Sequence, residues 1–432
     1  MSWQRRILLS LVLLAFSCGF YKALSRSAAA SFKMQATVPV KVASARYETH
    51  FASSKLFTQV HAASSIELKD GRIRAFWFSG SREGAKDVAI HSAVFDPATG
   101  QWSAESIAAT REQTQSTLHR YIAKLGNPIV GRMSDGRLRM YYVAVSLGGW
   151  AGSSITTMTS SDEGATWSAP RRLITSPFMN ISTLVKGAPI LYGDGTIGLP
   201  VYHEFISKFG EMLHLSQEGV VLDKQRLAGG GQGTLQPVVL IQSERQAKVL
   251  MRYSSATGPH RVVAVSTQDA GVHWSAPEKT ALRNPDAAVT GVTLPDGRML
   301  AVLNDQELGR DTLSLMLSQD GGVTWRAVQL LEDQQSASLQ ADEAHFIKNA
   351  AQLIGKSGAA SHSRLESSVE SARRTVCHDG HCRYEFSYPY LIRTSGGDFH
   401  LVYTWNRTFI KHVWFNLAWL DQRAVEVDHA LH

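Results

Sequence analysis

Ser160-Ser161-Asp162-Glu163-Gly164-Ala165-Thr166-Trp167 recurs downstream as Ser318-Gln319-Asp320-Gly321-Gly322-Val323-Thr324-Trp325. A third copy, Thr267-Gln268-Asp269-Ala270-Gly271-Val272-His273-Trp274, changes two of the shared positions. Shorter relatives stand at Phe95-Asp96-Pro97-Ala98-Thr99-Gly100-Gln101-Trp102 and at Ser216-Gln217-Glu218-Gly219. The acidic positions 96, 162, 218, 269 and 320 follow one another at intervals of 66, 56, 51 and 51 residues. An octapeptide with Ser, Asp, Gly, Thr and Trp in register does not recur at such a period by chance, and a fixed period of this size marks a repeat architecture. Asp and Gly are the residues of a tight turn, and the Trp is expected to be buried between strands. The octapeptides are therefore structural, and catalysis is sought elsewhere.

A second marker alternates with the first. Asp70-Gly71, Asp135-Gly136, Asp194-Gly195 and Asp296-Gly297 each sit between two apolar runs, with Ser243-Glu244 and Gly396-Gly397-Asp398 in the equivalent places of two further modules. Asp-Gly between apolar runs is a strong hairpin signal. The module reads strand, Asp-Gly turn, strand, strand, octapeptide turn, strand. Six such modules predict an all-β, six-bladed β-propeller over residues 45–425, since radial packing protects the sheet edges. Helical periodicity is scarce. The Ser-, Ala- and Gln-rich stretch 333–375 reads as an insertion loop, with one surface helix near 335–355.

The chain has 432 residues, 44% of them hydrophobic, with 10 Trp, 12 Tyr and 16 Phe. Those rings suit strands and also supply platforms on which sugars stack. The net charge of +7 fits an anionic partner as well as plain solubility. No Lys/Arg cluster with interleaved aromatics occurs, which argues against nucleic acid. Arg5 and Arg6 precede the apolar run Ile7–Tyr21, and Ala28-Ala29-Ala30 is a cleavage candidate. Residues 1–30 are thus a signal peptide or a membrane anchor, followed by a linker over 31–44. Both readings predict export to the periplasm, free or tethered to the inner membrane. Cys18 lies in the leader. Cys377 and Cys382, in Cys-His-Asp-Gly-His-Cys, can close a hairpin as a disulfide in an oxidising compartment. Four ligands within six residues would strain a tetrahedral metal site, so neither metal nor cofactor is expected.

The boxes and six modules resemble the sialidase-like Asp-box (BNR-repeat) superfamily, and the wording is similar to its bacterial predicted-neuraminidase branch. The passages that carry the likeness are His61-Ala62-Ala63-Ser64, Phe76-Trp77-Phe78-Ser79-Gly80-Ser81-Arg82-Glu83-Gly84, Thr175–Ser182, Leu199–Phe205 and Tyr403-Thr404-Trp405-Asn406-Arg407. In sialidases three arginines grip the substrate carboxylate, a Tyr activated by a Glu is the nucleophile, and an Asp is the acid/base. The resemblance puts His61 in the first arginine's place, Arg252 in the second and Arg310 in the third. It assigns the acid/base to the loop holding Arg82, with Glu83 and Asp87 as candidates. It sets Phe386 on the nucleophile's position, with Tyr384 or Tyr388 taking its role if the strand is offset.

Further polar groups cluster near the starts of the inner strands. His203 and Glu204 are adjacent, so only one can face the pocket. Trp150 is a stacking candidate, and Asn180, Gln236 and Arg407 are binding candidates. The resulting expectation is a monomeric, exo-acting glycoside hydrolase that removes a terminal acidic sugar. Glu83 or Asp87 would donate the proton, and Tyr388 or Glu204 would serve as nucleophile or base. Two alternatives stand beside it: a lyase on a uronate polymer and a glycan-binding propeller without turnover.

Overall fold

The computed structural model describes residues 3–24, 31–35, 44–176, 180–227, 233–334, 342–356 and 362–431. It is a ring of six antiparallel blades. The inner, second and third strands of blade one are Gln59–Glu67, Ile73–Gly80 and Ala89–Asp96, with Gln101–Trp102 and Ser106–Ala109 at its outer edge. Blade two runs Lys124–Arg132, Leu138–Val145, Ser153–Ser160 and Arg171–Arg172. Blade three has a broken inner strand, Leu184–Val185 and Ile190–Leu191, then Ile197–His203, Phe209–Leu215 and Val221–Arg226. Blade four is Thr234–Ile241, Ala247–Tyr253, Arg261–Thr267 and Glu278–Arg283, and blade five is Thr290–Thr293, Met299–Leu303, Thr312–Ser318 and Arg326–Asp333. Blade six takes Phe386–Arg393, Phe399–Trp405 and Phe409–Phe415 from the C-terminal part and Tyr47–Phe51 from the N-terminal part, with Tyr47 opposite Phe415. Pairing the two ends of the chain in one sheet closes the ring.

Each octapeptide joins a third strand to a fourth. Asp162 Oδ1 accepts from the Thr166 amide at 2.9 Å and Asp162 Oδ2 from the Thr166 hydroxyl at 2.6 Å, while Ser160 Oγ accepts from the Gly164 amide at 2.8 Å. Asp320, Thr324 and Ser318 repeat this, and in the third copy His273 Nδ1 stands in for the Thr hydroxyl on Asp269 at 2.7 Å. Trp102, Trp167, Trp274 and Trp325 are half-buried rather than buried. The box turn lies on the outer rim, so one edge of each indole meets solvent while its face packs inward; Trp167, for example, meets Phe76 edge-on at 5.7 Å.

Second strands read as continuous apolar runs because both of their faces are covered by neighbouring blades. Every residue from Leu138 to Val145 is buried. Trp77 and Trp405 are fully enclosed, so truncation of either to Ala is worth ~3–5 kcal/mol.

The 333–375 stretch differs from the sequence expectation. Its described part is a pair of helices, Glu343–Lys356 and His362–Val376, in place of a loop with one surface helix. Phe346, Ala350, Ile354, Val369 and Ala372 recur at helical spacing and are buried in one core cluster with strands of blades five and six. Cys377 and Cys382 then form a disulfide with Cα atoms 4.0 Å apart. Residues Trp3–Leu24 are helical, and the Ala28–Ala30 cleavage candidate lies outside the described residues. No helix among the described residues is long and apolar enough to cross a membrane.

Candidate active site

Near the start of every inner strand one non-glycine residue adopts a left-handed backbone: Ala62, Asn127, Ser182, Gln236, Asp286 and Tyr388. In four blades the strand pairing slips at that residue, between His61 and Ser64, Gly126 and Ile129, Leu235 and Val238, and Ser387 and Tyr390. A bulge inserts a residue, bends the strand and re-aims a side chain. Left-handed non-glycine residues cost ~1–3 kcal/mol each and persist where the surroundings enforce them, most often at functional sites. The six left-handed residues ring one end of the axis, where the second strands also end.

Three arginines meet at that end. Arg407, just past the second strand of blade six, donates from Nε to Glu385 Oε2 at 2.6 Å and pairs through Nη1 with Glu83. Arg310, in the loop before the third strand of blade five, reaches Glu385 Oε1 at 3.3 Å and the Asp286 carbonyl at 2.9 Å. Arg252, at the end of the second strand of blade four, donates from Nε to Asp286 Oδ1 at 2.5 Å and from Nη1 to Gln236 Oε1 at 3.4 Å. Glu385 and Asp286 thus link guanidiniums from three blades. Burial raises the Glu385 carboxyl, but His61, Arg407 and Arg310 more than offset this and hold it at about 2.

Tyr388 lies over this cluster. Its hydroxyl accepts from Gln236 Nε2 at 3.2 Å, and its ring packs in a tilted arrangement against His61, with the ring centroids 4.3 Å apart. His61 is buried, and its Nδ1 has no partner among the described residues. Burial, with Arg407 beside it, depresses the imidazole to about 4, so it is neutral near pH 7. Gln236 Nε2 also approaches Tyr202 Oη at 3.4 Å, and Asn127 Nδ2 donates to the same hydroxyl at 3.1 Å.

The carboxylates differ in state. Glu83 is bound to Arg407, and although burial works against its charge, His61 and Arg407 outweigh that and lower its pKa. Glu204 is half-buried, and its carboxyl has no hydrogen bond or ion pair among the described residues. Burial raises its pKa, Arg252 and Lys208 opposing. Lys124 lies 3.9 Å from the Trp150 ring and acts electrostatically on both Glu83 and Glu204, which puts Trp150 at the rim.

The remaining sequence candidates are placed as follows. His203 bonds Glu211 at 3.0 Å and stacks on Phe209, so Glu204 is the member of that pair coupled to Arg252. Asp87 caps its own loop by accepting from the Ser81 amide at 2.9 Å and the Ser81 hydroxyl at 3.0 Å. Arg82 is exposed beside it. Asn180 fastens the blade two to blade three connection, with Oδ1 accepting from the Thr175 amide at 3.0 Å. Tyr384 is buried against Phe346 under the helical insertion. Glu385 and Asp286, which tie the arginines together, escaped the sequence reading. One signal was available: Asn127-Pro128, Gln236-Pro237 and Tyr388-Pro389 place proline inside apolar inner strands, where its missing N–H is tolerated at a bulge.

The family described as BNR repeat-like domain matches residues 71–401. Among solved structures, the Hadza microbial sialidase Hz136 superposes with a TM-score of 0.60 at 15% identity, over 83% of this chain and 66% of its own. This chain therefore spans just under two thirds of that sialidase's length. A protein of unknown function from Dyadobacter fermentans gives 0.57 at 13% identity, over 88% of this chain and 100% of its own. The NanB sialidase of Streptococcus pneumoniae gives 0.58 at 9% identity, over 90% and 71%. At these identities the likeness establishes the propeller fold. No curated protein matches the chain in sequence.

Proposed function

Because the chain belongs to the BNR repeat-like family, we propose that it is an exported, sialidase-like glycoside hydrolase that removes a terminal acidic sugar from a glycan or exopolysaccharide. The observation that carries this reading is the convergence of Arg252, Arg310 and Arg407 beside Tyr388 and the unpaired Glu204. A guanidinium has five donors in a planar fork, and among the described residues Arg252 bonds protein partners only through Nε and Nη1, which leaves Nη2 for a substrate carboxylate. Tyr388 is the nucleophile: a phenol avoids the repulsion that a carboxylate would meet at an anionic anomeric centre. Glu204 is the proton donor to the leaving oxygen, because burial favours its protonated form, whereas Glu83 is held ionised by Arg407. Trp150 offers a stacking face at the rim.

The test is product analysis with acidic and neutral glycosides. Free acidic monosaccharide is expected, and an unsaturated uronate absorbing in the ultraviolet would replace hydrolysis with β-elimination. A second reading, a glycan-binding propeller without turnover, draws support from the carboxylate that each arginine already carries and from His61 in the first arginine's place. Saturable binding of an acidic glycan with no product from any glycoside would establish it. Export is proposed from the leader, and recovery of the chain in the cytoplasmic fraction would contradict it.

A further inference from the structure

At the opposite end of the axis, where the inner strands run into the Asp-Gly turns, a pocket of about 590 Å³ opens. Its walls are largely apolar, with Val238, Val292, Leu294 and Tyr390 among them. Four cationic side chains line it, Lys33, Arg132, Lys186 and Arg393, and no Asp or Glu does among the described residues. Arg132 is neutralised by Glu163 at 2.7 Å, and Lys33 is exposed. The other two are different. Lys186 is 2% exposed, its Nζ donates to the Pro389 carbonyl at 3.0 Å, and no carboxylate pairs with it among the described residues. Arg393 has a buried Nε without a partner among the described residues, with Asp296 acting on it electrostatically but not bonded to it.

We propose that this pocket is a second ligand site, for a small amphipathic carboxylate. The apolar tail fills the pocket and the head group meets Lys186 and Arg393. An ammonium taken out of water with one carbonyl for company is costly, and a carboxylate arriving in the same dry space supplies the missing counter-charge. Burial alone brings the Lys186 amine down to about 7, so its charge is only partly kept near neutral pH, and a carboxylate bound beside it would favour the charged form. Acidic side chains are missing from the lining among the described residues, which leaves a cationic ligand without a counter-charge there. Lys186 Nζ lies 5.9 Å from the Tyr388 ring, so this pocket and the arginine cluster back onto one another along the axis while using different residues.

Calorimetric titration of the full chain with octanoate tests the proposal, with octanamide as its neutral counterpart. Saturable octanoate binding is expected, weakened at least ~10-fold in Lys186→Met and in Arg393→Gln through loss of a charge-assisted bond, with octanamide weak in all three proteins. Arg393 is only half-buried, so its substitution probes the head-group contact even if the Lys186 variant fails to fold. Arg252→Ala should leave octanoate binding unchanged, which separates this pocket from the proposed hydrolytic site and lets either proposal fail alone. Absence of saturable binding, equal affinity in Arg393→Gln, or loss of binding in Arg252→Ala overturns it.

Discussion

Gln236 Nε2 donates to Tyr388 Oη across 3.2 Å, although the two residues are 152 positions apart in the chain. Both hold left-handed φ, 54° and 53°, on the inner strands of blades four and six. An amide in this position can orient the phenol but cannot take its proton. Gln236→Glu places a carboxylate there, with Arg252 close enough to balance its charge. If Tyr388 is the nucleophile, turnover of an aryl glycoside of the acidic sugar should rise at least ~10-fold in this variant, as an added general base allows. Tyr388→Phe should abolish turnover in both backgrounds, and retained activity there would remove Tyr388 from the mechanism.

Arg252→Ala is expected to weaken binding of an anionic glycan by ~2–5 kcal/mol, because the lost contact is largely buried and the Asp286 carboxylate loses its ion-pair partner, keeping only the Ser254 hydroxyl among the described residues. A neutral glycan of the same size should be affected much less. Equal losses for both ligands, measured by calorimetry, would show that the arginine serves the fold rather than the sugar's charge.

Glu204 should control one limb of the pH–rate profile. A proton donor works only while protonated, so kcat should decline as pH rises through its elevated pKa. Glu204→Gln should flatten that decline and slow poor leaving groups far more than activated aryl ones. An unaltered profile would transfer the role to another group.

The ring-closing blade carries its own pH dependence. His400 Nδ1 and His412 Nε2 share a hydrogen bond at 2.9 Å, with His50 stacked on His412 from the N-terminal strand. Burial depresses His400 to about 3 and His412 well below its ordinary value. Below about pH 6.5 the unfolded chain takes up protons that the folded chain refuses, so stability is complete above that pH. It is lost as pH falls toward 3, by ~1.4 kcal/mol per pH unit for each such histidine. Denaturant unfolding at pH 7, 6, 5 and 4 should show this slope, reduced in His400→Gln. Identical slopes in both proteins would place the acid sensitivity elsewhere.

Much of the fold was legible because its markers are local. An Asp two residues after a Ser, followed by Gly and Thr, makes the same turn wherever it occurs, and Asp-Gly does the same for the inner hairpins. The count of blades therefore followed from the repeats alone. The helical pair was misread because Ser, Gln and Glu dilute it. The spacing of Leu365, Val369, Ala372 and Val376 nevertheless marks an apolar helical face, with Val369 and Ala372 buried in the core.

The candidate site was only partly legible. Arg252 and Arg310 followed from the family's pattern, but nothing near Glu385 or Asp286 in sequence says that they join those arginines to Arg407. Nor does the loop around Glu83 reveal that Glu83 is clamped while Asp87 caps a turn. By itself, the sequence determined the number of blades, their order along the chain and the turns within them, and it offered the pairing of Cys377 with Cys382, because these depend on residues close together in one module. The tertiary structure alone decided which carboxyl stays ionised, which stays unpaired, and where Tyr388 points. Ring closure brings six distant left-handed residues to one end of the axis, and burial there sets each group's charge through neighbours from other blades.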